Sequence, residues 1–165
     1  MNPAPVKHTV RVAKDMYLDE TYVSQNPTWH AEDSAWKAQQ IQKMLSRHSV
    51  KLEAVCEVGC GAGEILKQLS AKYPATMFFG YEFSPQAFEL CKTRESEKVK
   101  YAMEDILDQD NRFDVLLCID VFEHVEDYIG FLKQLRSKAN FHVFHIPLDI
   151  SVSSVLRNTM MSARE

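Results

Sequence analysis

Residues 55–66 read Val55-Cys56-Glu57-Val58-Gly59-Cys60-Gly61-Ala62-Gly63-Glu64-Ile65-Leu66, and this stretch decides the fold. An apolar strand over 52–58 runs into three glycines at alternate positions. A helix over 63–72 follows, with Ile65, Leu66 and Leu69 on one face. Glycine serves three needs at such a junction: a tight turn, close approach of a ligand to the backbone, and close packing of helix on strand. The helix start also turns free N–H groups and its positive dipole end toward whatever lies over the turn, which favours an anionic group. The details narrow the ligand. A dinucleotide fingerprint G-x-G-x-x-G beginning at Gly59 needs glycine at position 64, where Glu64 stands. Glu57, two residues before the first glycine, repels a pyrophosphate and suits a ligand carrying an amino group and a sulfonium.

Outward from this junction, strand and helix patterns alternate. Pro74 stops the first helix, and 76–82 reads as a second strand. Ser84 caps a helix with Pro85 at its first position, running to about 93. A short third strand covers 99–103. The almost continuous apolar run 113–119 reads as a strand covered on both faces. Ile129, Leu132 and Leu135 mark a helix over 128–138, and 141–146 is a fifth strand closed by Pro147. Before the glycine turn, Asp33 and Ser34 are good N-cap types for a helix over 34–47 carrying Trp36, Ile41, Met44 and Leu45. Residues 1–33, with Pro3, Pro5 and Asn26-Pro27, read as an extended arm, and a last helix is expected around 155–161. The expected architecture is α/β: a Rossmann-like, doubly wound, mostly parallel sheet with helices on both faces. We expect one domain over 1–165, with arm and helix 1–50 as a lid, 51–150 as the core and 151–165 as a tail.

Composition agrees. At 165 residues, 45% hydrophobic and 25% charged, the chain is long enough for one domain with a real core, and disorder and low complexity are excluded. No apolar run approaches the roughly 18 residues of a membrane span, and the N-terminus lacks the apolar stretch of a secretion signal. A net charge of −4 argues against a general grip on nucleic acid. Cys56, Cys60, Cys91 and Cys118 show no C-x-x-C spacing, so neither disulfides nor a cysteine zinc site is expected. The expected compartment is the reducing cytoplasm.

The glycine segment resembles motif I of the class I S-adenosylmethionine-dependent methyltransferases of small-molecule type. The resemblance continues in order over 52–147. Glu82, in Gly80-Tyr81-Glu82-Phe83-Ser84, matches the acidic residue that in the family holds both ribose hydroxyls, a task suited to a bidentate acceptor. Phe83 then covers the adenine. Met103-Glu104-Asp105 matches the segment that reads the adenine amino group, with Asp105 favoured for it and Met103 or Glu104 lining the ring. Cys118-Ile119-Asp120-Val121-Phe122-Glu123-His124-Val125 resembles the segment after the fourth strand, which puts Asp120 near the methionine portion and sulfonium and Val121 beside it. The resemblance thus implies S-adenosylmethionine as cofactor, held by Glu57, Gly59, Cys60, Gly61, Gly63, Glu82, Phe83, Glu104, Asp105, Asp120 and Val121.

Methyl transfer to an oxygen or nitrogen of a small-molecule acceptor, sugar or lipid-linked molecules included, is the implied reaction. A cofactor-binding module or partner subunit without turnover is the alternative. The cofactor carries the reactivity, so the protein mainly aligns the groups and removes a proton. His124 is the candidate base, with a side chain that titrates near neutrality on the acceptor side. Asp120-x-x-Glu123-His124 also resembles the E-x-x-E-H ligand set of some metal-assisted methyltransferases, with His142 or His145 as a further ligand. Asp replaces the first Glu of that set, and no metal is expected. Tyr17, Tyr22 and Trp29 of the arm are candidates to enclose acceptor or sulfonium. No N-P-P-Y-type tetrapeptide of base-flipping enzymes follows the fourth strand. The family's sheet has seven strands and this chain supplies five, so a shortened C-terminus lacking about 40–80 residues is expected.

Overall fold

The computed structural model describes residues 31–147. The arm with Tyr17, Tyr22 and Trp29, and the expected helix at 155–161, lie outside the described residues. Among the described residues five strands form one sheet: β1 (Ala54–Val58), β2 (Met77–Tyr81), β3 (Val99–Ala102), β4 (Phe113–Ile119) and β5 (Ala139–His145). Their order is β3-β2-β1-β4-β5, and every neighbouring pair is parallel. From β1 the chain steps outward to β3, then returns across the sheet to β4. This reversal lies between β1 and β4, and open parallel sheets bind ligands at such a point, beyond the carboxyl ends of the strands.

Among the described residues four helices cover the sheet: α1 (Ser34–Arg47), α2 (Glu64–Lys72), α3 (Pro85–Lys92) and α4 (Tyr128–Leu135). Side-chain alternation splits the core in two. Val55, Val115, Leu117 and Ile119 face Ala38, Ile41 and Leu45 of α1, Ile65, Leu66 and Leu69 of α2, and Cys91 of α3. Cys56, Val58, Leu116 and Cys118 face Phe131 and Leu135 of α4. Burial on both faces is why β4 reads as an unbroken apolar run. No helix among the described residues is long and apolar enough to cross a membrane.

Local signals worked where a side chain does the capping. Ser84 accepts from Ala87 N at the start of α3 with Pro85 at its first position, and Asp127 accepts from Gly130 N at the start of α4. Asp33 precedes α1 without a side-chain cap bond, because the 3-10 turn Ala31–Asp33 already holds it in helical backbone (φ −83°). An N-cap needs the extended conformation instead. α4 stops at Leu135, short of the expected 138, and β5 starts at Ala139 rather than 141. Lys138 N closes the turn on Leu135 O at 2.8 Å, and the Lys138 ammonium bonds the carbonyls of Leu107 and Gln109. Between β3 and β4 the chain makes only a 3-10 turn, Ile106–Asp108. The alternation of strand and helix is broken there.

The two-sided burial of β4 has a measurable consequence. Leu117 is fully buried, and Leu117→Ala is expected to cost about 2–5 kcal/mol in urea unfolding. A loss below about 1 kcal/mol would contradict the packing.

Candidate cofactor and acceptor site

The glycine turn is anchored by β2. Gly59 N and Cys60 N both donate to Tyr81 O, at 2.8 and 3.2 Å, and Gly63 N closes on Cys60 O at 2.8 Å. Gly63 has φ +78°, and a Cβ there would stand 2.6 Å from the Tyr101 ring, whose hydroxyl donates to Gly63 O at 2.7 Å. Gly61 differs. At φ +54° a Cβ would meet nothing within 4 Å, so this glycine leaves room rather than relieving a clash. Val121 packs on Gly59, and Cys91 Sγ donates to Gly61 O at 2.8 Å. All four cysteines are free and buried, as their spacing suggested.

Two buried carboxylates flank the turn. Glu82 is 4% exposed: Oε2 accepts from Gly61 N at 2.9 Å, and Oε1 accepts from Phe83 N and Ser84 N at 2.8 Å each. Burial pushes its pKa up, against the pull of those backbone donors. Glu57 is 1% exposed, and its Oε2 has no hydrogen-bond partner among the described residues. Its pKa stands well above the usual carboxylate range, first from burial, then from Cys91, Glu82 and Asp120, with Lys37 pulling the other way. A buried acceptor without a donor is costly, and native proteins keep such groups rare.

Asp120 follows β4 in left-handed backbone, φ +56°. Lys37 Nζ of α1 reaches its Oδ2 at 2.5 Å, and Nδ1 of His145 at the end of β5 lies 2.5 Å from its Oδ1. Burial raises the Asp120 pKa, but the Lys37 and His145 contacts outweigh it and leave the group below its ordinary value. Trp36, half of it exposed, sets its ring edge-on to His145 at 6.1 Å.

The fold therefore gathers Glu57, Gly59, Cys60, Gly61, Gly63, Glu82, Asp120 and Val121 at the ends of β1, β2 and β4. Phe83 is half-buried just beyond Glu82. Glu104 and Asp105 follow β3 at the same end of the sheet, both exposed, and Asp105 Oδ1 caps the next turn by accepting from Leu107 N at 2.9 Å. His124 closes the 3-10 turn Phe122–His124, with Nε2 4.0 Å from Glu123 Oε1. Asp120 engages Lys37 and His145, and among the described residues no group of three His, Cys, Asp or Glu side chains is placed to hold a metal ion. Sequence reasoning missed the pairing of Lys37 and His145 with Asp120. Nothing in a helical pattern marks Lys37, and His145 meets Asp120 only because β4 and β5 are neighbours.

Comparisons with known proteins agree with this frame. The curated relatives include the ubiquinone biosynthesis O-methyltransferase of Rickettsia akari, 30% identical over 100 residues, covering 59% of this chain and 39% of that protein. The enzyme of the same name from Rickettsia bellii is 27% identical over 123 residues, covering 72% of this chain and 49% of that one. The chain thus spans less than half the length of these relatives. Among solved structures, the plantazolicin methyltransferase BpumL, in complex with a substrate analog and SAH, matches with a TM-score of 0.61 at 17% identity, covering 93% of this chain and 63% of that one. The magnesium protoporphyrin IX methyltransferase of Synechocystis PCC 6803, with bound SAM, matches with a TM-score of 0.63 at 15% identity, covering 85% and 75%. At these identities the likeness is one of fold. A family profile described as a methyltransferase domain matches residues 29–159, most of the chain, and on that match the chain belongs to the methyltransferase-domain family.

Proposed function

We propose that this chain binds S-adenosylmethionine at the glycine turn and serves methyl transfer to an oxygen of a small-molecule acceptor. The reading is carried by Glu57 Oε2, buried with no hydrogen-bond partner among the described residues at the end of the strand that leads into the turn, where Gly61 leaves room for a ligand. A cofactor with an ammonium supplies the missing donor, and its adenosine fills a space that any side chain at 61 would occupy. Glu57, Gly59, Cys60, Gly61 and Gly63 would hold the amino-acid end. Glu82 would take the ribose, with an acceptor site left on Oε2 after its bond to Gly61. Phe83, Glu104 and Asp105 would border the adenine, and Asp120 and Val121 would lie toward the reacting end. Oxygen is preferred to nitrogen because the curated relatives are named O-methyltransferases. When bound, the cofactor supplies a methyl group on a sulfonium, and the chain positions it, excludes water and accepts a proton. His124, on the turn after β4, is one candidate for that proton.

The test is calorimetric titration with S-adenosylhomocysteine. The wild type is expected to bind it, and Glu82→Ala to weaken binding by about tenfold or more, the usual cost of losing hydrogen bonds to a charged group. Equal binding by both proteins would remove Glu82 from the site, and no binding by the wild type would end the reading. Methyl transfer to any acceptor separates an enzyme from a binding module without turnover.

A further inference from the structure

We propose that His145, held by Asp120, is the group that takes the acceptor's proton; this rests on the methyl-transfer reading above. The two residues come from the ends of adjacent strands, with Ile119 and His145 in register across β4 and β5. That is the sheet end where ligands of this architecture bind. Main chain and side chain fix the pair together. Asp120 N donates to His145 O at 3.0 Å, and the Asp120 carboxylate accepts from His145 Nδ1 at 2.5 Å. A proton on Nδ1 leaves the lone pair of the neutral ring on Nε2, the nitrogen that faces away from the carboxylate. Nε2 makes no hydrogen bond among the described residues, and a third of the side chain is exposed.

The surroundings fit a base rather than a buried structural histidine. Lys37 of α1 occupies the other Asp120 oxygen and offsets its charge, so the carboxylate orients the ring without presenting an uncompensated anion. Asp120 in turn helps to raise the pKa of Glu57 on β1. Trp36 braces the ring and offers an exposed aromatic surface next to it. Asp120 sits in left-handed backbone, and such outliers cluster at functional sites.

In the proposed step, an acceptor O–H passes its proton to His145 Nε2. The oxygen's electron pair forms the bond to the methyl carbon, and the carbon–sulfur pair stays on sulfur, which becomes a neutral thioether. The imidazolium, still bonded to Asp120, then gives its Nε2 proton to water. Asp120 is a positioning residue here and Lys37 a counter-ion.

Nitrogen-15 NMR of the histidine side chains tests this with the chain saturated in S-adenosylhomocysteine. His145 is expected to carry its proton on Nδ1 in the wild type, with Asp120→Asn reducing the share of that tautomer. With phenol, catechol and benzyl alcohol as acceptor probes, His145→Gln is expected to slow transfer by about 100-fold or more, with affinity for S-adenosylhomocysteine kept within about threefold and His124→Ala costing under about tenfold. A wild-type His145 protonated on Nε2 alone overturns the proposal, as does near-normal turnover by His145→Gln. A wild type that fails to bind S-adenosylhomocysteine overturns the methyltransferase reading instead.

Discussion

Gly63→Ala is expected to unfold about 5–15 °C below the wild type in a thermal melt. Two costs combine. At φ +78° an alanine sits in left-handed backbone, about 1–2 kcal/mol above a glycine. Its Cβ would also stand 2.6 Å from the Tyr101 ring, which is pinned by its hydroxyl bond to Gly63 O. Relieving that overlap costs about 1–3 kcal/mol more, since a buried ring in a packed core has little room to shift. Gly61→Ala is the control. Its backbone is equally left-handed, but its Cβ meets no atom within 4 Å. That variant should lose only the backbone cost, about 1–2 kcal/mol, while its methyl group intrudes on the open space over the turn. Gly61→Ala should therefore weaken S-adenosylhomocysteine binding by about tenfold or more with only a modest drop in stability. Equal melting temperatures for the two variants would show that Tyr101 does not limit the turn.

Glu57→Gln separates stability from binding more sharply. The unfolded chain has its glutamates near pKa 4.3, about the model-peptide value, whereas the folded pKa of Glu57 is raised by burial. The folded chain therefore holds a proton that the unfolded chain has already lost. Any stability linked to that proton is present in full below the unfolded value and is lost as pH rises through the folded one. The glutamine variant has no such proton to lose. In chemical unfolding without ligand, Glu57→Gln should match the wild type near pH 4 and gain on it as pH rises. Binding should go the other way. A bound ammonium gives Glu57 Oε2 its missing partner, and removing the charge from such a buried pair costs about 2–5 kcal/mol, or about 30-fold or more in affinity for S-adenosylhomocysteine. A glutamine variant that binds with wild-type affinity would place the amino group elsewhere.

Much of this architecture was legible because its causes are local. The β1 turn needs glycine for reasons of φ and close approach, and the amphipathic faces of α1 and α2 follow from a 3.6-residue period. Ser84 and Asp127 cap helices by bonds spanning three residues, so a short window of sequence contains both partners. Segment ends were less legible where long-range contacts set them. β5 begins at Ala139 partly because Lys138 ties the preceding turn to the carbonyls of Leu107 and Gln109, about 30 residues away. The crossover from β3 to β4 is a single 3-10 turn that Asp105 caps, a role open to any Asp before a turn.

By itself the sequence determined a parallel α/β sheet, the glycine turn between β1 and α2, and the carboxylates Glu57 and Glu82 beside it. These depend on residue type and on order along the chain, which the sequence states directly. Only the tertiary structure decided what each carboxylate does. It buried Glu57 Oε2 without a hydrogen-bond partner among the described residues, used three of Glu82's acceptor sites on backbone N–H groups, and set Asp120 between Lys37 and His145. Lys37 and His145 lie 83 and 25 residues from Asp120 along the chain, and strand order with helix packing brings them within hydrogen-bond reach. A carboxylate's chemistry follows the donors around it, and in a parallel sheet those donors come from segments far apart in sequence.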